Sequence, residues 1–332
     1  MTYVPVERAA EFATRLLGIF RELGFDSAPL EGVEAGVISL WDVLENLASP
    51  GDPHNPAIAE KYVSGAGLHD LAAKVVAVWD HKLEARSFLA PHIKLLAEAH
   101  YTGQNASNPR WDRKDGIARE QGSADKVIEL YWACLCILAD MSVEIDDPEA
   151  SSGGRNPDVI ATAADGTRWA FALKTLARVP HPATAAKNLM CNIKKACEQI
   201  ERAECDKGIV VVNLKNVLDH DALRSAGTFA NEQAAQCAIN AQISQILEPF
   251  YANEVVELEH CFAQRGKVAP MVALVAHSTV FMQTPDSFSA FAQVNTMMVA
   301  TLPTRDEPKP GTFMREACAL AEDLNRLVWA IK

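Results

Sequence analysis

The tightest constraint in this chain is a pair of short apolar runs, Val159 to Ala163 and Thr167 to Lys174, joined across Asp165-Gly166. Such runs flanking Asp-Gly predict a β-hairpin, because glycine accepts the left-handed backbone that a tight turn needs. Two registers compete. A two-residue turn at Asp165-Gly166 would pair Ala164 with Thr167 and Asp158 with Leu173, setting Asp158 and Lys174 on opposite faces of the hairpin. A three-residue loop, Ala164-Asp165-Gly166, pairs Asp158 with Ala172 and puts Asp158 on the face of Lys174. The second register also gathers Val159, Ala161, Ala163, Trp169, Phe171 and Leu173 on one apolar face. Burial and chemistry ask for the same register, and it is the one expected.

The elements around the hairpin read clearly. Ser123 to Leu138 predicts a helix, capped by Ser123, whose apolar residues Val127, Ile128, Leu130, Tyr131, Leu135, Ile137 and Leu138 surround most of its circumference; Glu129 sits inside it. A strand at Ser142 to Asp146 and a loop containing Ser151-Ser152-Gly153-Gly154 lead to Pro157-Asp158. After the hairpin comes a long helix, Ala183 to Cys205, with a core stripe of Leu189, Ile193, Ala196, Ile200 and Ala203. Glu198 falls opposite that stripe. The run Gly208 to Leu214 has the continuous apolar character of a strand buried on both faces. Beyond it, Ala222 to Leu258 reads as helical, Ala269 to Phe281 and Val294 to Leu302 as strands, and Phe313 to Ile331 as an amphipathic helix.

Before the hairpin, helical periodicity marks Val6 to Leu23, Leu40 to Leu47, Leu68 to Val78 and Phe88 to His100, with a break at Ser49-Pro50-Gly51-Asp52-Pro53. The polar segment Thr102 to Pro109 is the natural linker. The expected organisation is therefore an N-terminal helical region, residues 1–105, followed by an α/β domain, residues 106–332, with C-terminal helices.

Composition narrows the function classes. At 332 residues and 49% hydrophobic, the chain has ample material for a packed core. No stretch approaches the roughly 20 apolar residues of a membrane helix, and the start lacks a basic-then-apolar leader, so a cytoplasmic protein is expected. A net charge of -12 argues against indiscriminate coating of nucleic acid. It leaves room for a local basic cluster, Arg110, Arg113, Lys114, Arg119 and Lys126. The eight cysteines are scattered and read as small core residues. No His-x-x-x-His spacing occurs, so no zinc site is expected.

The element order, with Pro157-Asp158 and a lysine ending the next strand, resembles the PD-(D/E)xK nuclease superfamily over roughly Ser123 to Leu214. The resemblance implies a restriction-endonuclease-like α/β core, a central mixed sheet flanked by helices. It also implies divalent-metal-dependent hydrolysis of phosphodiester bonds, with DNA as the expected nucleic-acid partner and Mg²⁺ or Mn²⁺ as cofactor. Asp158 would be a metal ligand, the Leu173 backbone carbonyl a second, and Lys174 the catalytic lysine. Glu129 matches the acid that many members carry on the preceding helix, and Gln199 resembles a supporting glutamine of the helix that follows. No membrane partner is implied, and a homodimer is allowed.

One position departs from that pattern. Ala172 stands where the second strand acid belongs, which makes ion binding weak. Either the acid has moved elsewhere, with Glu129 the best stand-in, or the alanine is a replacement that disarms a nuclease, or the fold serves as a non-catalytic module that binds nucleic acid or a protein partner.

Overall fold

The computed structural model describes residues 6–25, 56–98, 122–146, 157–177, 179, 181–283, 289–302 and 311–330. The expected helix at Leu40 to Leu47, the Thr102 to Pro109 linker, the Ser151 to Gly154 loop and Arg110, Arg113, Lys114 and Arg119 lie outside them, as does the side chain of Lys126. Among the described residues, no helix is long and apolar enough to cross a membrane.

Helices α1 (Val6–Glu22), α2 (Pro56–His81), α3 (Arg86–Glu98) and α4 (Gly122–Leu138) come first. Strands β1 (Ser142–Ile145), β2 (Val159–Thr162) and β3 (Arg168–Thr175) follow, then helix α5 (Pro182–Arg202) and strand β4 (Lys207–Asn213). The remainder comprises α6 (His220–Ser225), α7 (Glu232–Asn253), α8 (Val255–Ala263), the long strands β5 (Val268–Gln283) and β6 (Ser289–Thr301), and α9 (Thr312–Ala330). The fold is mixed α/β. Its strands form one six-stranded sheet in sequence order. β1, β2 and β3 run antiparallel, β3, β4 and β5 parallel, and β6 returns antiparallel to β5.

The mostly helical stretch expected from Ala222 to Leu258 comprises α6, α7 and α8. Asp219 caps the start of α6, accepting from the Ala222 amide; Asn231 caps α7, accepting from the Ala234 amide, with Gly227 at a positive φ before it, and the chain breaks again at Glu254 between α7 and α8.

Alternation along the strands gives the sheet two apolar faces. Phe171, Leu173, Ile209, Val211, Met271 and Ala273 face helices α1 to α4 and α9 in one continuous core. Ala170, Ala172, Val210, Val212, Val272 and Leu274 face α5 to α8 in the other. The helices of the N-terminal region thus share a core with the α/β part. On the second side, Leu189, Ile193, Ala196 and Ile200 of α5 are buried as their spacing predicts. Ile200 sits so close over Gly208 that a Cβ there would overlap it. All eight cysteines are free; Cys191 and Cys237 are exposed, correcting the expectation of uniform burial, while Cys134, Cys136, Cys197, Cys205 and Cys261 are core residues.

Lys74 is fully enclosed in the first core. Its ammonium donates to Asp70 Oδ1 at 2.9 Å and to the Val328 carbonyl at 2.9 Å, tying α2 to the end of α9. Lys74→Met would remove the ammonium that pairs with the buried Asp70 carboxylate, a change expected to cost roughly 3–5 kcal/mol of unfolding free energy in urea titration. Gly166, at φ 84°, lies in the left-handed region. Gly166→Ala is expected to cost about 1–2 kcal/mol in the same measurement.

Candidate active site

The hairpin takes the three-residue loop. Val159 pairs with Phe171 and Ala161 with Trp169, which sets Asp158 opposite Ala172. The loop closes through Ala163 N to Thr167 O and Gly166 N to Ala163 O, both 2.9 Å. Asp165 Oδ1 accepts the Thr167 amide at 2.9 Å, an Asx-type contact that holds the turn.

Asp158 immediately precedes β2 and turns its carboxylate onto the end of β3. Its Oδ2 accepts the Leu173 amide at 2.6 Å and the Lys174 ammonium at 3.4 Å. Lys174 Nζ also donates to the Leu173 carbonyl at 3.0 Å. The ammonium therefore lies between the two oxygens expected to hold a metal. Both side chains are largely buried, with 15% of Asp158 and 17% of Lys174 exposed.

Burial pushes the Asp158 carboxyl above its ordinary range. The Lys174 charge opposes that rise, the like charge of Glu129 adds to it, and the Leu173 amide again opposes it. Glu129 itself is buried on α4 and stands 3.8 Å from the Nε2 of His92, on α3. Asp158, Glu129, Lys174 and the Leu173 carbonyl thus occupy one neighbourhood.

His92 is a residue that sequence reasoning passed over. It is 2% exposed, and neither ring nitrogen has a hydrogen-bond partner. Its local sequence carries no motif; only the packing of α3 against α4 brings it to Glu129. Gln199 is not brought to this group. It is buried beside Ile200, over the start of β4, whereas Lys174 pairs with Val212 four residues further along. That is roughly 13 Å of strand. Glu198 is on the outside, within ion-pairing distance of Arg202 and Arg265, as the helical wheel predicts.

Ala172 is wholly enclosed in the core shared with α5. Among the described residues, no three His, Cys, Asp or Glu side chains converge into a preformed metal cage. The oxygens of Asp158, Glu129 and Leu173 and the imidazole of His92 are the groups able to ligate an ion.

Comparisons with protein-family models, curated proteins and solved structures return no match for this chain.

The raised Asp158 pKa has a definite sign in stability. A carboxyl that holds its proton more tightly when folded stabilises the fold in acid, and that contribution is lost as pH climbs from the ordinary value of 3.8 through the folded value. Asp158→Asn escapes this loss. Relative to wild type, the variant is expected to gain unfolding free energy as pH is raised through that window, measured by urea denaturation at a series of pH values.

Proposed function

We propose that this chain is a divalent-metal-dependent nuclease of the PD-(D/E)xK type, acting on DNA phosphodiester bonds from a restriction-endonuclease-like core. The observation that carries the reading is the meeting of Asp158, Lys174 and the Leu173 carbonyl at the end of β3, with Glu129 near enough to raise the Asp158 pKa. The order α4, antiparallel β1-β2-β3, α5, parallel β4 supports it.

The donor set fits Mg²⁺ or Mn²⁺ in kind, since carboxylate and carbonyl oxygens are what such hard ions take. Two acids held together in a buried site also gain from a dication between them. Asp158, Glu129 and the Leu173 carbonyl would hold it, more weakly than a site with a carboxylate at position 172. When bound, the ion would polarise the phosphate and acidify a water. Lys174 would turn its ammonium from the protein oxygens to the phosphate. There it would offset the negative charge that grows as the water oxygen bonds to phosphorus and the ester P–O bond breaks. The Leu173 amide keeps Asp158 aimed throughout.

The direct test incubates wild type, Lys174→Ala and Asp158→Ala with DNA and with RNA, in Mg²⁺ and in Mn²⁺. Metal-dependent cleavage of DNA that drops by about 100-fold or more in either variant is the expected result. Absence of cleavage by wild type and by Ala172→Glu, together with no heat of ion binding in calorimetry, removes the catalytic reading.

A second reading rests on its own observation. Lys174 bridges Asp158 and the Leu173 carbonyl, and Ala172 is sealed in an apolar core, so the strand oxygens are balanced by the chain's own ammonium. A non-catalytic module that binds nucleic acid or a protein partner follows from that arrangement. Metal-independent DNA binding that weakens steeply with salt would favour it.

A further inference from the structure

Two of the core thiols meet on the second face of the sheet. Cys197, on α5, and Cys261, on α8, are hydrogen-bonded to one another where the two helices pack together. Charged side chains frame the pair. Lys194 of α5 forms an ion pair with Glu257 of α8 to one side, and Glu198 reaches Arg265 at 4.0 Å to the other. Lys194, Cys197 and Glu198 follow the spacing of one helix face, and Glu257 lies one turn before Cys261, so each helix turns its sulfur towards the other between two charge contacts.

Arg265, just past the end of α8, folds back onto this point. Its Nη1 donates to Cys261 Sγ at 3.3 Å and to the Cys261 carbonyl at 2.7 Å. The Cys261 sulfur therefore has two donors aimed at it, the Cys197 thiol and a guanidinium. The hydrogen bond from Cys197 does most to bring the Cys261 thiol down to about 7; burial opposes it, Arg265 and Lys194 assist, and Glu257 opposes. The same hydrogen bond, followed by burial, pushes the Cys197 thiol up, so the shared proton stays on Cys197. Burial pushes Cys134, Cys136 and Cys205 up instead, and leaves them inert thiols.

Access separates the two sulfurs as charge does. Cys197 is 0% exposed, whereas Cys261 keeps 3% and lies beneath the partly exposed side chain of Arg265. A small electrophile from solvent meets Cys261 first. A thiolate under a cation, with a second thiol in contact behind it, has the parts of a peroxide-sensing pair: an attacking sulfur and a resolving one.

We propose that Cys261, activated by Arg265, is an oxidation site for hydrogen peroxide, and that Cys197 resolves it as a disulfide joining α5 to α8. The Cys261 thiolate attacks one peroxide oxygen, the O–O bond breaks, and hydroxide leaves to take up a proton as water. Cys261 is then a sulfenic acid. The Cys197 sulfur attacks the Cys261 sulfur, the S–O bond breaks, and the oxygen leaves as a second water with the Cys197 proton. Two thiols lose two electrons, and one peroxide becomes two waters. The chemistry is independent of the nuclease reading.

The test exposes the reduced full chain to hydrogen peroxide at neutral pH, blocks the remaining thiols by alkylation and maps the peptides by mass spectrometry. Wild type, Cys197→Ala, Cys261→Ala and Arg265→Gln are compared, with thermal unfolding confirming that each is folded. The expected product is a Cys197–Cys261 linked peptide, formed with loss of two of the eight thiols and reversed by dithiothreitol. Cys197→Ala is expected to hold Cys261 as a sulfenic acid that dimedone captures, and Cys261→Ala to leave Cys197 reduced. Arg265→Gln is expected to slow the linkage by about threefold or more. Oxidation confined to the exposed Cys191 and Cys237, linkage that forms only in urea, or equal rates in wild type and Arg265→Gln overturns the proposal.

Discussion

The placement of every reactive group at the end of β3 depends on one backbone choice, the left-handed turn at Gly166. By admitting a third residue into the loop, it sets Val159 against Phe171 and hence Asp158 against Ala172. A slip of one residue would turn Phe171 and Leu173 out of the first core and Ala170 and Ala172 out of the second. The packing of two sheet faces therefore enforces the register, and the carboxylate–ammonium contact is a passenger on that enforcement. This is a robust way to hold a costly group. Burial raises the Asp158 pKa, while the Leu173 amide holds its carboxylate against the end of β3.

Much of this was legible in the residues themselves. The hairpin was readable because Asp165-Gly166 is a strong local signal and because Trp169, Phe171 and Leu173 leave only one register that buries them. The α5 stripe and the outward Glu198 followed from helical spacing. What could not be read was anything set by packing between elements distant in sequence. His92 approaches Glu129 only because α3 lies against α4, and Asp70 meets Gln293 only when β6 has returned beside β5. Gln199 failed for the opposite reason: its angular position on α5 was suitable, but its height along the helix belongs to the start of β4. A wheel gives direction and ignores translation.

The two polar centres solve the problem of buried charge differently. At Asp158 the ammonium of Lys174 is shared with a backbone carbonyl, Glu129 adds a second acid, and the carboxyl is left with a raised pKa. Such incomplete compensation is where chemistry can be done. At Asp70, three donors converge on one carboxylate, and polarity is passed outward through Gln293 to Asn295. The first centre holds reactive charge in reserve; the second converts a charge into a fixed pattern of neutral donors and acceptors.

The tie between Lys74 and Val328 has a consequence for how the molecule is made. Val328 follows Lys74 by 254 residues, so until α9 has been synthesised the lysine lacks one of the acceptors that let it sit in the core. The first face of the sheet cannot close around it until α9 has emerged. Although the N-terminal helices appear first, this half of the protein cannot mature in the order in which it is made. A ribosome that stalls within α9 would hold an open sheet face in water.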